Sequence, residues 1–206
     1  MNETAIKGIV FDFGGVLSDP TKRIEVMSDY EKTLGLPEGR LQEMLFSGPA
    51  WEAASTGKIT VEEFWHRTGE QFEPYLPPEF AELKEDPFAM ESLVPEMVGL
   101  VKRLAGKYRV GLCSNALPSL EARLRETPDL LNSFSIVVIS ALVGLRKPDP
   151  RIYDLVSKRM GLRPEEILFI DDKERNTKAA KEAGMVPCLH LNYESTKGCL
   201  EELGIL

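Results

Sequence analysis

Cysteine and histidine are scarce in this chain, with three cysteines and two histidines among 206 residues. Cys113, Cys188 and Cys199 are odd in number, lack metal-site spacing, and two of them lie in apolar strand-like runs, so they read as buried thiols in a reducing compartment. His66 and His190 are far apart in sequence, and His190 falls inside a predicted strand, which leaves neither with a role. Positive charge is also in deficit. With 33 acidic against 25 basic residues and a net charge of -8, and no basic run interleaved with aromatics, the chain has no footprint for a phosphate backbone, and nucleic acid is not an expected partner. No stretch approaches the ~20 apolar residues that cross a bilayer, and no N-terminal secretory pattern is visible. No membrane partner is therefore expected, and a cytoplasmic enzyme is the simplest class. Internal repeats and low-complexity segments are missing as well. What remains is ordinary for a soluble globular protein: 43% hydrophobic and 28% charged residues in a length that can bury a large core, as one domain with an insertion or as two small domains.

The informative residues stand where apolar runs break. Gly8-Ile9-Val10-Phe11 ends at Asp12 and turns through Phe13-Gly14-Gly15. Tyr108 to Cys113 ends at Ser114-Asn115, Ile136 to Ile139 leads through Gly144-Leu145-Arg146 to Lys147, and Ile167 to Ile170 ends at Asp171-Asp172. Continuous apolar runs of strand length fit a parallel sheet covered on both faces, and such a sheet delivers the residues after each strand to one edge, where ligands bind. Asp12, Ser114, Lys147, Asp171 and Asp172 are expected to share that edge.

The chain divides unevenly. Residues 18–92 contain almost no strand-like run, whereas strand and helix alternate from residue 93 onward. The expected class is α/β: a Rossmann-like three-layer core of residues 1–17 and 93–206 with a mainly parallel sheet, and a small helical cap of residues 18–92 inserted after the first strand. In the insertion, helices are expected from Ile24 to Leu34, stopped at Gly35, and from Glu38 to Phe46. A third follows the capping box Thr60-Val61-Glu62-Glu63, with Val61, Phe64, Trp65 and Phe72 at helical spacing. In the core, Pro95 and Pro118 start helices through Ala105 and Arg125. Asp149-Pro150 opens a helix to Met160 stopped at Gly161, another runs from Asn176 to Ala183 before Gly184, and a last strand covers Val186 to Leu191. The turn Tyr75-Leu76-Pro77-Pro78 and Asp86-Pro87 read as the return linker.

Phe-Asp-Phe-Gly-Gly-Val-Leu at 11–17, Ser-Asn at 114–115, Arg-Lys-Pro-Asp-Pro-Arg-Ile-Tyr at 146–153 and Phe-Ile-Asp-Asp at 169–172 resemble, in order, the motifs of the haloacid dehalogenase superfamily of hydrolases, and the insertion resembles that superfamily's small helical cap. The resemblance implies that Asp12 is the nucleophile, passing through an aspartyl phosphate. It implies that Ser114, the Asn115 backbone N–H and Lys147 hold the phosphoryl group. It further implies that Mg²⁺ is bound by Asp12, the backbone carbonyl of Gly14 and Asp172, with Asp171 beside it as a direct or indirect ligand. Charge supports the same picture: three carboxylates at one edge repel unless Lys147 and a divalent cation offset them, and magnesium favours hard oxygen donors. Asn176 is read either as orienting the acidic pair or as a helix cap.

One position departs from the pattern. Phosphatases of the superfamily usually carry a second aspartate two residues after the nucleophile as general acid and base, and here that position is Gly14. A glycine there resembles a subgroup similar to sugar-phosphate phosphatases and the amino-terminal domains of epoxide hydrolases. Asp19, just past the turn, is a candidate substitute or a plain turn residue. The expected activity is hydrolysis of a small phosphorylated metabolite, with a sugar phosphate as one option. Two alternatives stand beside it: a carbon–halogen hydrolase, against which the acidic pair counts, and a binding protein that kept the pocket without the acid. Specificity is expected in the insertion, where Ser47 to Trp51 and Thr56-Gly57-Lys58 read as loops that could face the cleft. Oligomeric state is left open.

Overall fold

The computed structural model describes residues 5–69 and 90–206. Among these residues seven strands form two sheets: β1 (Gly8–Phe11), β2 (Ser18–Asp19), β3 (Ser92–Leu93), β4 (Arg109–Ser114), β5 (Ile136–Ile139), β6 (Ile167–Asp171) and β7 (Val186–Leu189). Eleven α-helices lie among the described residues: α1 (Thr21–Leu34), α2 (Arg40–Phe46), α3 (Gly48–Ala54), α4 (Val61–Gly69), α5 (Pro95–Ala105), α6 (Ser119–Arg125), α7 (Pro128–Leu131), α8 (Ser140–Val143), α9 (Pro150–Met160), α10 (Glu174–Glu182) and α11 (Tyr193–Glu202).

The main sheet has the order β5-β4-β1-β6-β7, and every pairing in it is parallel. Alternate side chains enter two cores, because successive residues of a strand point to opposite faces. Ile9, Phe11, Val110, Leu112, Leu168 and Ile170 pack on one face with Met97 and Leu104 of α5, Leu120 of α6 and Leu200 of α11. Val10, Cys113, Ile167 and Phe169 pack on the other with Ile152, Tyr153 and Val156 of α9 and Ala180 of α10. This is the expected α/β, Rossmann-like layering. It puts β1 at the centre, so whatever follows Phe11 sits between the ends of β4 and β6.

The helices of residues 21–69 form their own core of Met27, Leu41, Leu45, Trp51, Phe64 and Trp65, joined by Leu117 from beyond β4. Phe46, Trp51, Phe64 and Trp65 make a chain of edge-on ring contacts with centroids 5.4, 5.7 and 5.0 Å apart, the arrangement that aromatic quadrupoles favour. Buried Glu31 accepts the N–H groups of Gly39 and Leu41 at 2.7 and 2.6 Å, which satisfies open donors at the start of α2. The two passages between helices and sheet run side by side as the antiparallel pair β2–β3, with Ser18 opposite Leu93 and Asp19 opposite Ser92.

Most helix signals hold. Gly35 and Gly161 end α1 and α9 in the left-handed conformation, at φ 67° and 61°. Asp149 accepts the Arg151 N–H at 2.9 Å and caps α9, and Thr60 Oγ1 accepts the Glu63 N–H at 3.1 Å before α4. Four expectations are corrected. Residues 48–54 are helix α3 and not a loop, because Pro49 sits at its first turn, where no N–H donor is needed. The helix after Asp172 starts at Glu174, so Asn176 lies inside α10 and is no cap. The second helix starts at Arg40, behind left-handed Gly39. The last strand ends at Leu189, short of Leu191. Phe72 and the expected return linker at 75–78 and 86–87 lie outside the described residues. No helix of the described residues is long and apolar enough to cross a membrane.

Candidate functional site

The strand order places Asp12, directly after β1, between Ser114 at the end of β4 and Asp171-Asp172 at the end of β6. One ligand oxygen each from Asp12, Asp171 and Asp172 lie within 4.8 Å of one another. Lys147 arrives from behind, on the segment that follows β5 and α8, and is fully buried. Its ammonium meets Asp12 Oδ1 at 2.9 Å and Asp171 Oδ2 at 2.6 Å, and donates to the Cys113 carbonyl at 2.8 Å. An ammonium has three N–H donors, and all three are engaged. Burial alone would lower the Lys147 pKa, but Asp12 and Asp171 hold it above its usual range, so the side chain stays charged. The opposite happens at Asp12, whose carboxyl is pushed up to about 7 by burial first, with Asp171 and Asp172 adding and Lys147 opposing. Lys147 is the one buried lysine among the described residues of the cluster, and with the exposed Lys173 beside Asp172 it still leaves three carboxylates short of positive charge.

The rest of the cluster is held by hydrogen bonds from distant segments. Asp171 Oδ1 accepts the Lys173 N–H and the Asn176 side-chain amide, each at 2.9 Å. The Asn176 carbonyl in turn accepts Tyr153 Oη at 2.9 Å, so α9 steadies the turn that carries the acidic pair. Both Asp171 oxygens are thereby engaged by protein donors. Asp172 differs, since its Oδ2 meets Lys173 Nζ at 2.7 Å while its Oδ1 is buried without a hydrogen-bond partner among the described residues. The side chain lies over Gly15, whose φ is 76° and where a Cβ would stand 2.6 Å from Asp172 Oδ2. Only glycine suits that position.

Asn115 does more than its backbone suggests. Its side chain clamps the Lys147 peptide, accepting the Lys147 N–H at 2.8 Å through Oδ1 and donating to the Lys147 carbonyl at 2.8 Å through Nδ2. Ser114 lines the same cleft. Asp12 Oδ1 accepts the Phe13 N–H at 2.7 Å.

Above the cluster opens a cleft between the sheet edge and the helices of residues 21–54. Asp12, Gly14, Ser114, Asn115 and Asp172 line its floor, and Pro20, Ile24, Phe46 and Trp51 line its roof. Trp51 thus reaches the cleft, although it is mostly buried. Thr56 and Lys58 border a neighbouring depression instead. Asp19 does not line the cleft; its Oδ1 accepts from the Thr21 N–H at 2.9 Å and from the Thr21 hydroxyl, a local turn at the start of α1. Among the cleft residues that carried no signal in the sequence are Arg23, Gln42, Glu91, Lys173 and Arg175. Arg23 donates through Nε to Glu91 at 3.0 Å and stacks 4.4 Å from the Phe46 ring centroid, a pairing across 68 positions that no local pattern announces.

Known proteins share this architecture. A family model described as haloacid dehalogenase-like hydrolase matches residues 6–184. The chain is 30% identical to a sesquiterpene phosphatase of Aspergillus oryzae over 96% of its own length and 95% of that protein's. It is 28% identical to a phosphoglycolate phosphatase of Yersinia pseudotuberculosis, covering 92% of this chain and 82% of the other. Among solved structures, it is similar to an enzyme of the same superfamily from Bacteroides thetaiotaomicron crystallised with magnesium and inorganic phosphate, with a TM-score of 0.69, 25% identity, and coverage of 90% and 94% of the two chains.

Proposed function

This chain belongs to the haloacid dehalogenase-like hydrolases, and from that premise we propose that it is a magnesium-dependent phosphatase that acts on a small phosphorylated molecule, with Asp12 as nucleophile. The observation that carries the reading is the imbalance of the site: three carboxylates face one buried, saturated lysine and the solvent-exposed Lys173, and the buried Asp172 Oδ1 has no hydrogen-bond partner among the described residues. Those are hard oxygen donors with charge to spare, the set that Mg²⁺ prefers. The residues present therefore fit the ion, with Asp12, Asp172 and the Gly14 carbonyl as its holders and Asp171 acting through Lys147. When bound, Mg²⁺ supplies positive charge to the phosphoryl oxygens and to the acidic cluster. The two phosphatase relatives and the magnesium and phosphate found with the Bacteroides enzyme point the same way.

The chain's own residues divide the work. Asp12 attacks phosphorus through Oδ2, because Oδ1 is already engaged by Lys147 and the Phe13 N–H. The P–O bond to the leaving group breaks as the Asp12–phosphorus bond forms, and water later splits the aspartyl phosphate to release phosphate and restore the carboxylate. Lys147 holds Asp12 in position and adds positive charge beneath the reacting centre, the main help phosphoryl transfer can receive. Ser114 Oγ and the Asn115 N–H face the phosphoryl oxygens, while the Asn115 side chain fixes the peptide of Lys147. The helices of residues 21–69 act as a cap that shields the cleft from water and touches the remainder of the substrate.

The test is phosphate release from an aryl phosphate with and without Mg²⁺, in the wild type and in Asp12→Asn. The expected result is release that needs Mg²⁺ and falls by orders of magnitude in the variant. Turnover in Asp12→Asn equal to the wild type would reject the nucleophile, halide release from haloacids without Mg²⁺ would favour the dehalogenase reading, and phosphate binding without turnover would leave a binding protein.

A further inference from the structure

We propose that Arg146 and Arg175 form a receptor for a second anionic group on the substrate, a carboxylate or a second phosphate, beyond the phosphoryl group that Asp12 attacks. The inference rests on the phosphatase reading and narrows its substrate class. Both arginines line the cleft that holds Asp12 and Ser114. The other cations near that cleft are already engaged. Lys147 has spent its three donors on Asp12, Asp171 and the Cys113 carbonyl. Arg23 is matched by Glu91 at 2.9 Å, and Lys173 by Asp172 at 2.7 Å.

Arg146 and Arg175 are not matched in this way. Arg146 has one carboxylate neighbour, Glu52, at 3.3 Å, whose side chain is 66% exposed, and an ion pair so open to water contributes little. The Arg146 side chain is itself only 18% exposed, and its Nε is buried without a hydrogen-bond partner among the described residues. Among the described residues the Arg175 side chain has no hydrogen bond or ion pair. The two guanidiniums also feel each other: burial lowers the Arg146 pKa, Arg175 lowers it further, and Glu52 opposes. Two like charges kept at one cleft, one of them with an unmet buried donor, are stabilised by an anion that both can reach. A guanidinium offers a planar pair of donors that matches the oxygens of carboxylate or phosphate. The transferred phosphoryl group already has Ser114 and the Asn115 N–H, with the charge of Lys147 beneath it, so the anion these arginines await is a different group on the same molecule.

The experiment compares kcat/KM for matched probes: phenyl phosphate against carboxyphenyl phosphates, and propyl phosphate against propanediol bisphosphate. The preference for the doubly anionic member is measured in the wild type, Arg146→Gln, Arg175→Gln and, as a remote exposed control, Arg125→Gln. Comparing preferences between proteins cancels the differences in leaving group. The wild type is expected to prefer one doubly anionic class, and whichever pair shows it identifies the second group as carboxylate or phosphate. That preference should fall about ten- to a hundredfold in Arg146→Gln and Arg175→Gln, mainly through KM, as charge-assisted hydrogen bonds are lost, and should persist in Arg125→Gln. Arg175 is exposed, so its variant keeps the fold. Hydrolysis of all probes without preference, or a preference unchanged in both cleft variants, overturns the receptor while leaving the phosphatase intact. Absence of phosphate release from every probe removes the phosphatase reading and the receptor with it.

Discussion

Lys147 is where stability and chemistry meet. Removing its charge leaves Asp12 and Asp171 facing each other in a buried space, and breaking a buried pair by deleting one partner costs about 3–5 kcal/mol. Lys147→Met should therefore show a stability loss of about that size in urea unfolding without Mg²⁺, together with loss of phosphate release; a variant as stable as the wild type would contradict the geometry. Gly15→Ala tests the other side of the cluster. Its Cβ would stand 2.6 Å from Asp172 Oδ2 at a φ of 76°, so Asp172 must shift, and the Mg²⁺ concentration for half-maximal activity is expected to rise about 10- to 100-fold. Gly14 has a consequence of its own. The carboxylates lining the cleft among the described residues are Asp12, Asp172 and Glu91, and Glu91 is bound by Arg23 and Ser18. With no free acid to protonate the leaving oxygen, kcat for a series of aryl phosphates should rise steeply as the leaving phenol becomes more acidic, and a flat series would reveal a proton donor after all.

At the scale of elements, the turns do the positioning. Glu166 ties the entry of β6 to the segment before β1, accepting from Lys7 Nζ at 2.6 Å and from the Arg163 N–H at 2.9 Å. These contacts, Lys7 first, hold its carboxyl down to about 2 from the ordinary 4.5. A depressed acid stabilises the fold above its unfolded pKa and loses that contribution as pH falls through the folded one. Glu166→Gln should thus be less stable than the wild type at neutral pH, with the gap closing as pH falls from about 4.5 to about 2 in chemical denaturation. The turn Thr56-Gly57-Lys58 touches α8, where a Cβ on Gly57 would lie 2.4 Å from the Ala141 carbonyl at a φ of 66°. Gly57→Ala should pry the helices of residues 21–54 away from the sheet edge and raise KM. Most strand ends and helix stops were legible, because apolar runs, prolines and glycines act over a few residues. Helix α3 was not, since Ser47-Gly48-Pro49 serves a turn or a helix start equally well. The Asn115 clamp on Lys147 and the Arg23–Glu91 pair, across 32 and 68 positions, become visible only when the sheet order brings their segments together.

Across the whole molecule, the order β5-β4-β1-β6-β7 turns residues scattered over the chain into one site. The parallel sheet supplies the chemistry at its edge, and the helical segment, joined through the narrow pair β2–β3, supplies the roof. That division explains why the floor could be read as motifs while the substrate could not: the roof is made of packing residues such as Phe46 and Trp51, whose core and cleft duties look alike in a sequence. The account stands or falls on whether Asp12 itself carries the phosphoryl group. The most direct measurement is rapid acid quenching of the enzyme during turnover of a radiolabelled phosphate ester with Mg²⁺, followed by peptide mapping. The account predicts a hydroxylamine-labile label on the peptide that contains Asp12 and none in Asp12→Asn. A label on any other residue, or phosphate release by Asp12→Asn at the wild-type rate, would contradict it.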